Sequence, residues 1–413
     1  VTHGGAARVV VTGLGCVSAC GLGYEALWSS LRAGRPAIQL GHRAFQKLEI
    51  AFPVATVPEY DPASHFDKET LLLADPFSQY ALLAAREAVA DAGLSSPLAS
   101  PERTAVMLGV GAGGEQTREQ ASIRMFHEQR QRVLPVLVPR LNHQAAVGLV
   151  SADLGVTGPC MAVATGCASS THAVAQAYFM IRHGLVDRAV AGGSEASILF
   201  STLRAFDALG VLSRDTCRPF SRGRSGMALG EGAGVVILES LESASRRGAR
   251  IHAELAGAGM SADARHMVHP SVEGPLQAMR SALASAGLEP ADIGYINAHG
   301  TGTVANDRTE SVAIQQLFQG APRQPPVSST KSIHGHALGA AGGIELVATI
   351  LALHHQLLPP TANHLGADPE CELDCVPNEA RAHAFDAALT NSFAFGGLNA
   401  VLAIRRFVEE RAS

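Results

Sequence analysis

The feature that most constrains this fold is an alternation carried along the whole chain: short β-branched or apolar runs that stop at glycine, interleaved with longer alanine-rich stretches of helical period. Arg8-Val9-Val10-Val11-Thr12, Ala105-Val106-Met107-Leu108 and Ala189-Val190-Ala191 each run into a glycine, while residues 77–92 and 171–183 space their apolar residues as helices do. The second half repeats the style, with strands expected near 235–238, 295–297 and 400–404 and helices over 275–286 and 342–355. Such alternation predicts an α/β fold with a two-lobed body. No register of identical residues establishes that one lobe duplicates the other. Residues 113–140 are polar and irregular and read as a subunit interface or a cover over a pocket, and 322–326 and 358–364 as short proline-marked loops.

Composition narrows the function classes. The 413 residues, 47% hydrophobic and 17% charged, suffice for a large core in one big domain or two fused ones. A net charge of −5 with both signs scattered offers no basic block for nucleic acid or an anionic membrane. No uninterrupted apolar run approaches membrane-spanning length, and Val1-Thr2-His3-Gly4-Gly5 lacks a positive region followed by an apolar stretch, so a cytoplasmic protein is expected. Seven cysteines spread thinly over the chain predict reduced thiols, most of them inert. Cys16 and Cys20, and Cys371 and Cys375, lie close in sequence, but neither pair has a second Cys/His pair to complete a tetrahedral zinc site, and no metal is expected. Gly13-Leu14-Gly15 follows the first strand without the third glycine or the acidic residue of a dinucleotide site. Gly230–Gly234 lacks the lysine and hydroxyl residue of a phosphate loop, so no cofactor is expected either.

Four segments carry residues suited to chemistry. Thr165-Gly166-Cys167-Ala168-Ser169-Ser170 follows the apolar residues 161–164 and opens a helical run, which places Cys167 at a strand-to-helix turn where the helix dipole favours thiolate. Taken alone, a cysteine among alanines is more often packing than chemistry. Asn297-Ala298-His299-Gly300-Thr301-Gly302-Thr303 puts a histidine in a loop just after a short strand; with seventeen histidines in the chain, a structural role stays open. Ser329-Thr330-Lys331-Ser332-Ile333-His334-Gly335-His336 concentrates two histidines and one of only three lysines, the others being Lys47 and Lys68. A solvated loop is the competing reading there. Asn391-Ser392-Phe393-Ala394-Phe395-Gly396-Gly397 lies between a loop and the final strand, and its glycines permit a tight turn with N–H groups free to face an oxyanion.

Together, in this order and spacing, these segments resemble the β-ketoacyl-acyl-carrier-protein synthases of the elongating type, in the thiolase superfamily. Val11–Gly15, Phe77–Ala81, Arg218-Pro219-Phe220, Gly230–Gly234 and Val376–Arg381 extend the similarity over essentially the whole chain. The resemblance implies a thiolase-like five-layer αβαβα fold of two similar halves. Residues 1–250 would hold the nucleophile and interface insertions, and 251–413 the catalytic His/Lys motifs. It implies Cys167 as acyl acceptor and His299 and His336 as N–H donors to an enolate. Lys331 would tune the site, Glu345 would support it, and the backbone N–H groups of Cys167 and Phe395 would form an oxyanion hole, with Phe395 also a gate. No cofactor is implied. The implied partners are an acyl carrier protein and a second subunit, giving a homodimer or a heterodimer with a chain-length-factor-like subunit.

The chain departs from that pattern at several places. Gly166 stands where an alanine is usual, Ala394 and Asn306 where glycines are, Leu398 where a threonine is, and Pro76 interrupts an Asp-Arg-Phe pattern. His334-Gly335-His336 is similar to nodulation-type and other specialised synthases. The expected reaction is decarboxylative condensation of an acyl-Cys167 intermediate with malonyl-carrier protein in a discrete, type II fatty-acid or polyketide pathway. The alternative is a non-elongating partner or scaffold subunit, against which retention of Cys167 speaks. A biosynthetic thiolase would need a second cysteine in a C-terminal Cys-x-Gly motif, where this chain has 391–397 without one.

Overall fold

The computed structural model describes residues 6–409; the pentapeptide read above against a leader lies outside them. Ten main strands build one mixed sheet. β1 (Val9–Ser18), β2 (Thr104–Gly109), β3 (Cys160–Val163), β4 (Arg188–Glu195) and β5 (Gly232–Ser240) precede β6 (Ala253–Ala262), β7 (Tyr295–Asn297), β8 (Val327–Ser328), β9 (Ala387–Ala394) and β10 (Leu398–Arg405). Their order across the sheet is β3-β2-β4-β5-β1-β6-β10-β9-β7-β8, with the short strand Gly21–Leu22 paired to β1.

Read outward from the β1–β6 junction, both halves run first, fifth, fourth, second, third strand. The pairings also agree: the first and fifth, and the fifth and fourth, are antiparallel, and the other two pairs are parallel. The repetition that no register of identical residues discloses is thus present in the topology. Among the described residues three pairs, Val9 with Leu255, Val10 with Glu254 and Val11 with Ala253, join the halves into one sheet.

The helices make the layers. α1 (Pro76–Asp91) covers the outer face of the first half-sheet, and α3 (Glu273–Ala286), with α4 (Val304–Leu317) against it, covers that of the second. Between the half-sheets lie α2 (Ser169–Arg182) and α5 (Ala341–His355), each packed on strands of both halves. This is the thiolase-like αβαβα arrangement. A helix between two sheets has no solvent face, so α5 is buried from Ala341 to Leu353, Glu345 included. With the preceding turn it forms a stretch, Leu338–His355, long and apolar enough to cross a membrane, with a mean hydropathy of 1.3; it is 89% buried inside the fold. Glu345 interrupts it, so the expectation that no uninterrupted apolar run approaches spanning length is not overturned, and the apolarity of the stretch reflects its place in the central layer.

Two expectations change. The first strand does not stop at Gly13 but runs through to Ser18. A Cβ at Gly13 would lie 2.1 Å from the Ala88 carbonyl oxygen and one at Gly15 1.9 Å from that of Ala84, so these glycines let α1 lie directly on the strand. Residues 113–140 are not irregular throughout: they contain the helix Glu115–Ser122, continued by a π-turn over Ile123–His127, and the start of another helix, Leu137–Leu141. Phe126 there is 79% exposed.

Candidate active site

Three chain reversals bring the candidate residues to one place. β3 ends at Val163, a 3₁₀ turn over Gly166–Ala168 carries Cys167, and α2 begins at Ser169, so the thiol stands at a helix start as the sequence predicts. Ser169 Oγ secures the turn by donating to Gly166 O at 2.6 Å and accepting from Thr165 N at 2.9 Å. His299 lies two residues beyond the end of β7, and its backbone N–H and that of Gly300 donate to the two oxygens of Glu310, at 2.8 and 2.7 Å. His336 is clamped by its main chain, its N–H donating to Ala228 O and its carbonyl accepting from Gly230 N, both at 2.8 Å.

Cys167, His299, His336 and Phe395 all line one cavity of about 250 Å³, shared with Val211, Met227, Asn306, Phe393 and residues 266–270. The imidazoles of His299 and His336 stand edge to face, 5.4 Å apart. Leu338 N–H donates to His336 Nδ1 at 3.2 Å, so in the neutral ring the proton sits on Nε2, which is buried without a partner. His299 likewise keeps Nδ1 buried without one. Burial holds both rings well below the usual histidine range, helped by the Lys331 charge, so both are neutral. His334 turns aside: its Nε2 meets Thr330 Oγ1 at 3.0 Å, and it does not line the cavity.

The solvated-loop reading of 329–336 fails, because Lys331, Ser332, His334 and His336 are all buried. Lys331 and Glu345 form a hydrogen-bonded ion pair behind the cavity rather than in it, both 0% exposed. Lys331 acts from there through its field on the two histidines and on the thiol. The expectation of a ready thiolate needs revision: burial pushes the Cys167 thiol up to about 12, with Lys331 pulling down and Glu195 pushing further up. At neutral pH the Cys167 side chain therefore keeps its proton.

Phe395 is 39% exposed, in the hairpin turn between β9 and β10 rather than in an open loop. Gly396 and Gly397, at φ 83° and 69°, make that turn possible. Two departures from the family pattern meet here: a Cβ on Gly166 would lie 3.5 Å from the Ala394 Cβ, so the methyl lost on one side of the contact is present on the other.

Sequence reasoning missed Glu310, Glu195 and Phe393. Glu310 supports the His299 loop and accepts from Asn391 Nδ2 at 3.2 Å, linking that loop to the strand leading to Phe395. Nothing in the spacing of α4 marks Glu310 as buried. Glu345 Oε2, Asn297 Oδ1 and Asn391 Oδ1 are buried without hydrogen-bond partners among the described residues.

A chain that converges a cysteine and two neutral histidines on one cavity can be compared with known proteins. Residues 6–244 match the family model described as β-ketoacyl synthase, N-terminal domain, and residues 252–364 match its C-terminal domain. The chain belongs to the β-ketoacyl synthase family. It is 46% identical to Nodulation protein E of Rhizobium sp. (strain N33), over 97% of this chain and 99% of that protein. It is 40% identical to 3-oxoacyl-[acyl-carrier-protein] synthase 2 of Staphylococcus aureus (strain COL), over 97% and 98%. Among solved structures, the ishigamide ketosynthase/chain length factor matches with a TM-score of 0.92 at 37% identity, covering 98% of this chain and 100% of that one. A type II polyketide ketosynthase, solved with its acyl-carrier protein and bound to the hexaketide, matches with a TM-score of 0.87 at 30% identity, covering 98% and 100%. The similarity of the His334–His336 segment to nodulation-type synthases agrees with the first of these relatives.

Proposed function

We propose that this β-ketoacyl synthase joins an acyl group held on Cys167 to malonyl-carrier protein, in a discrete type II fatty-acid or specialised polyketide pathway. The observation that carries the reading is the shared cavity: one thiol and two neutral imidazoles, each imidazole with a ring nitrogen free of protein partners. In the first step the Cys167 sulfur attacks the acyl thioester carbonyl, its proton leaves with the departing carrier thiol, and one thioester replaces another. Next the malonyl carboxylate departs as carbon dioxide. The electron pair moves into an enolate whose oxygen receives hydrogen bonds from His299 and His336. The enolate carbon then attacks the acyl-Cys167 carbonyl. The backbone N–H groups of Cys167 and Phe395 hold the oxyanion, and collapse expels the Cys167 thiolate, which takes up a proton. Overall one proton is consumed and carbon dioxide, free carrier thiol and β-ketoacyl-carrier protein are formed.

Lys331 tunes this site and Glu345 supports Lys331. The partners are an acyl carrier protein and a second subunit, either another copy or a chain-length-factor-like relative, and the enzyme works in the cytoplasm as a soluble protein. The functional halves divide at residues 250 and 251. A non-elongating scaffold is disfavoured because nothing in that role needs a buried thiol among neutral histidines. The test is intact-protein mass after mixing with acyl-carrier proteins of several chain lengths. Wild type should gain the acyl mass, Cys167→Ala should not, and malonyl-carrier protein should discharge it as β-ketoacyl product. A folded wild type that never acylates would refute the proposal.

A further inference from the structure

The carboxylate of Glu195 is fully buried at the end of β4, and the chemistry above makes no use of it. Its donors are all uncharged. Oε2 accepts from Gly111 N at 2.9 Å, Ala112 N at 3.1 Å and Gly339 N at 3.3 Å, and Oε1 accepts from Ser197 Oγ at 2.6 Å. Removing a carboxylate from water with only dipoles for partners is costly, and burial raises its pKa to about 7.

The turn it holds is itself strained. Leu338 has φ 43°, a left-handed conformation unfavourable for a branched residue. Gly339 is gripped from two sides: Glu195 takes its N–H, while Ser170, on the helix that Cys167 opens, donates its hydroxyl to its carbonyl. A Cβ at Gly339 would lie 2.1 Å from Gly111 N, so no side chain fits between the loops. The N–H that this turn displays, that of Leu338, is the one bound to His336 Nδ1.

We propose that Glu195 is a positioning residue for His336: by anchoring the Leu338–Gly339 turn it keeps Leu338 N–H on Nδ1 and so fixes the ring with Nε2–H toward the substrate. The inference rests on the reading of His336 as the enolate's donor. Without the anchor the turn relaxes, the Leu338 N–H moves off Nδ1, and the ring is free to carry its proton on the wrong nitrogen. The nucleophile's own turn has separate supports, Ser169 Oγ on Gly166 O and Thr165 N, and does not depend on Glu195.

The test separates the two half-reactions in full-length Glu195→Ala and Glu195→Gln: acyl transfer to Cys167, timed by intact mass, and carbon dioxide release from malonyl-carrier protein. Glu195→Ala should acylate at least as fast as wild type, since it removes a charge that disfavours the Cys167 thiolate, but release carbon dioxide about tenfold more slowly, as expected for a misdirected oxyanion donor. Glu195→Gln, which keeps an oxygen facing the three N–H groups, should slow only the second step, by about threefold. If Glu195→Ala does not fold, the glutamine variant carries the test alone. Equal slowing of both steps, or none, in a variant that melts like wild type overturns the proposal. Wild type that performs neither half-reaction would instead refute the functional reading, so the two failures are read from different samples.

Discussion

Burial keeps the Cys167 thiol protonated near neutral pH, and that has a measurable signature. Burial pushes the thiol up to about 12 despite the helix start and Lys331. Well below that value the thiolate fraction grows tenfold per pH unit, so alkylation of Cys167 by iodoacetamide should rise about tenfold per unit from pH 6 to 9 with no plateau. Peptide mass spectrometry reads it directly, and a plateau near neutral pH would show that the helix start and Lys331 outweigh burial. Lys331 offers a second prediction. Its partner Glu345 is 0% exposed, so Lys331→Ala leaves a buried carboxylate without its cation and should cost about 3–5 kcal/mol in urea unfolding. Lys331→Ala/Glu345→Ala together should lose less than Lys331→Ala alone, because no uncompensated charge remains. At this scale the sequence singles out Cys167, His299 and His336 through four ordered segments and the family resemblance they carry, and the structure places all three on one cavity. Glu195 and Glu310 left no such mark, because what distinguishes them is burial, and burial comes from distant elements.

At the scale of elements, the glycines decide how closely helices and strands approach. Gly15→Ala would drive a methyl into the Ala84 carbonyl, 1.9 Å from the new Cβ, in the middle of the α1–β1 contact. The strand or the helix must move, and the variant should lose about 3 kcal/mol in denaturant midpoint analysis. A loss under about 0.5 kcal/mol, the range of neutral surface changes, would show that the contact yields easily. The Gly13-Leu14-Gly15 segment that suggested a strand end is instead a place where a helix lies on a strand. Local pattern could not distinguish the two, since glycine serves turns and close contacts alike.

Over the whole molecule, the halves are interlocked rather than adjacent. α2 comes from the first half and packs on β6 and β10 of the second; α5 comes from the second and packs on β4, β5 and β1 of the first. Each half alone would lose the contacts that the other half makes with its central helix and with the inner face of its sheet. Residues 1–250 and 251–413 expressed separately should therefore aggregate or remain unfolded by circular dichroism, and co-expression should recover a folded complex. Independent folding of either half would contradict this packing. The sequence by itself determined the α/β class, the positions of most main helices and strands, and the three segments bearing Cys167, His299 and His336, because periodicity and the motifs that carry the family resemblance are local properties. Only the tertiary structure decided that the two halves share one strand order, that Lys331 is paired in the core instead of solvated, and that the Cys167 thiol keeps its proton near neutral pH. The first depends on which distant strands pair and the other two on which distant surfaces exclude water from a group, and no window of sequence contains that information.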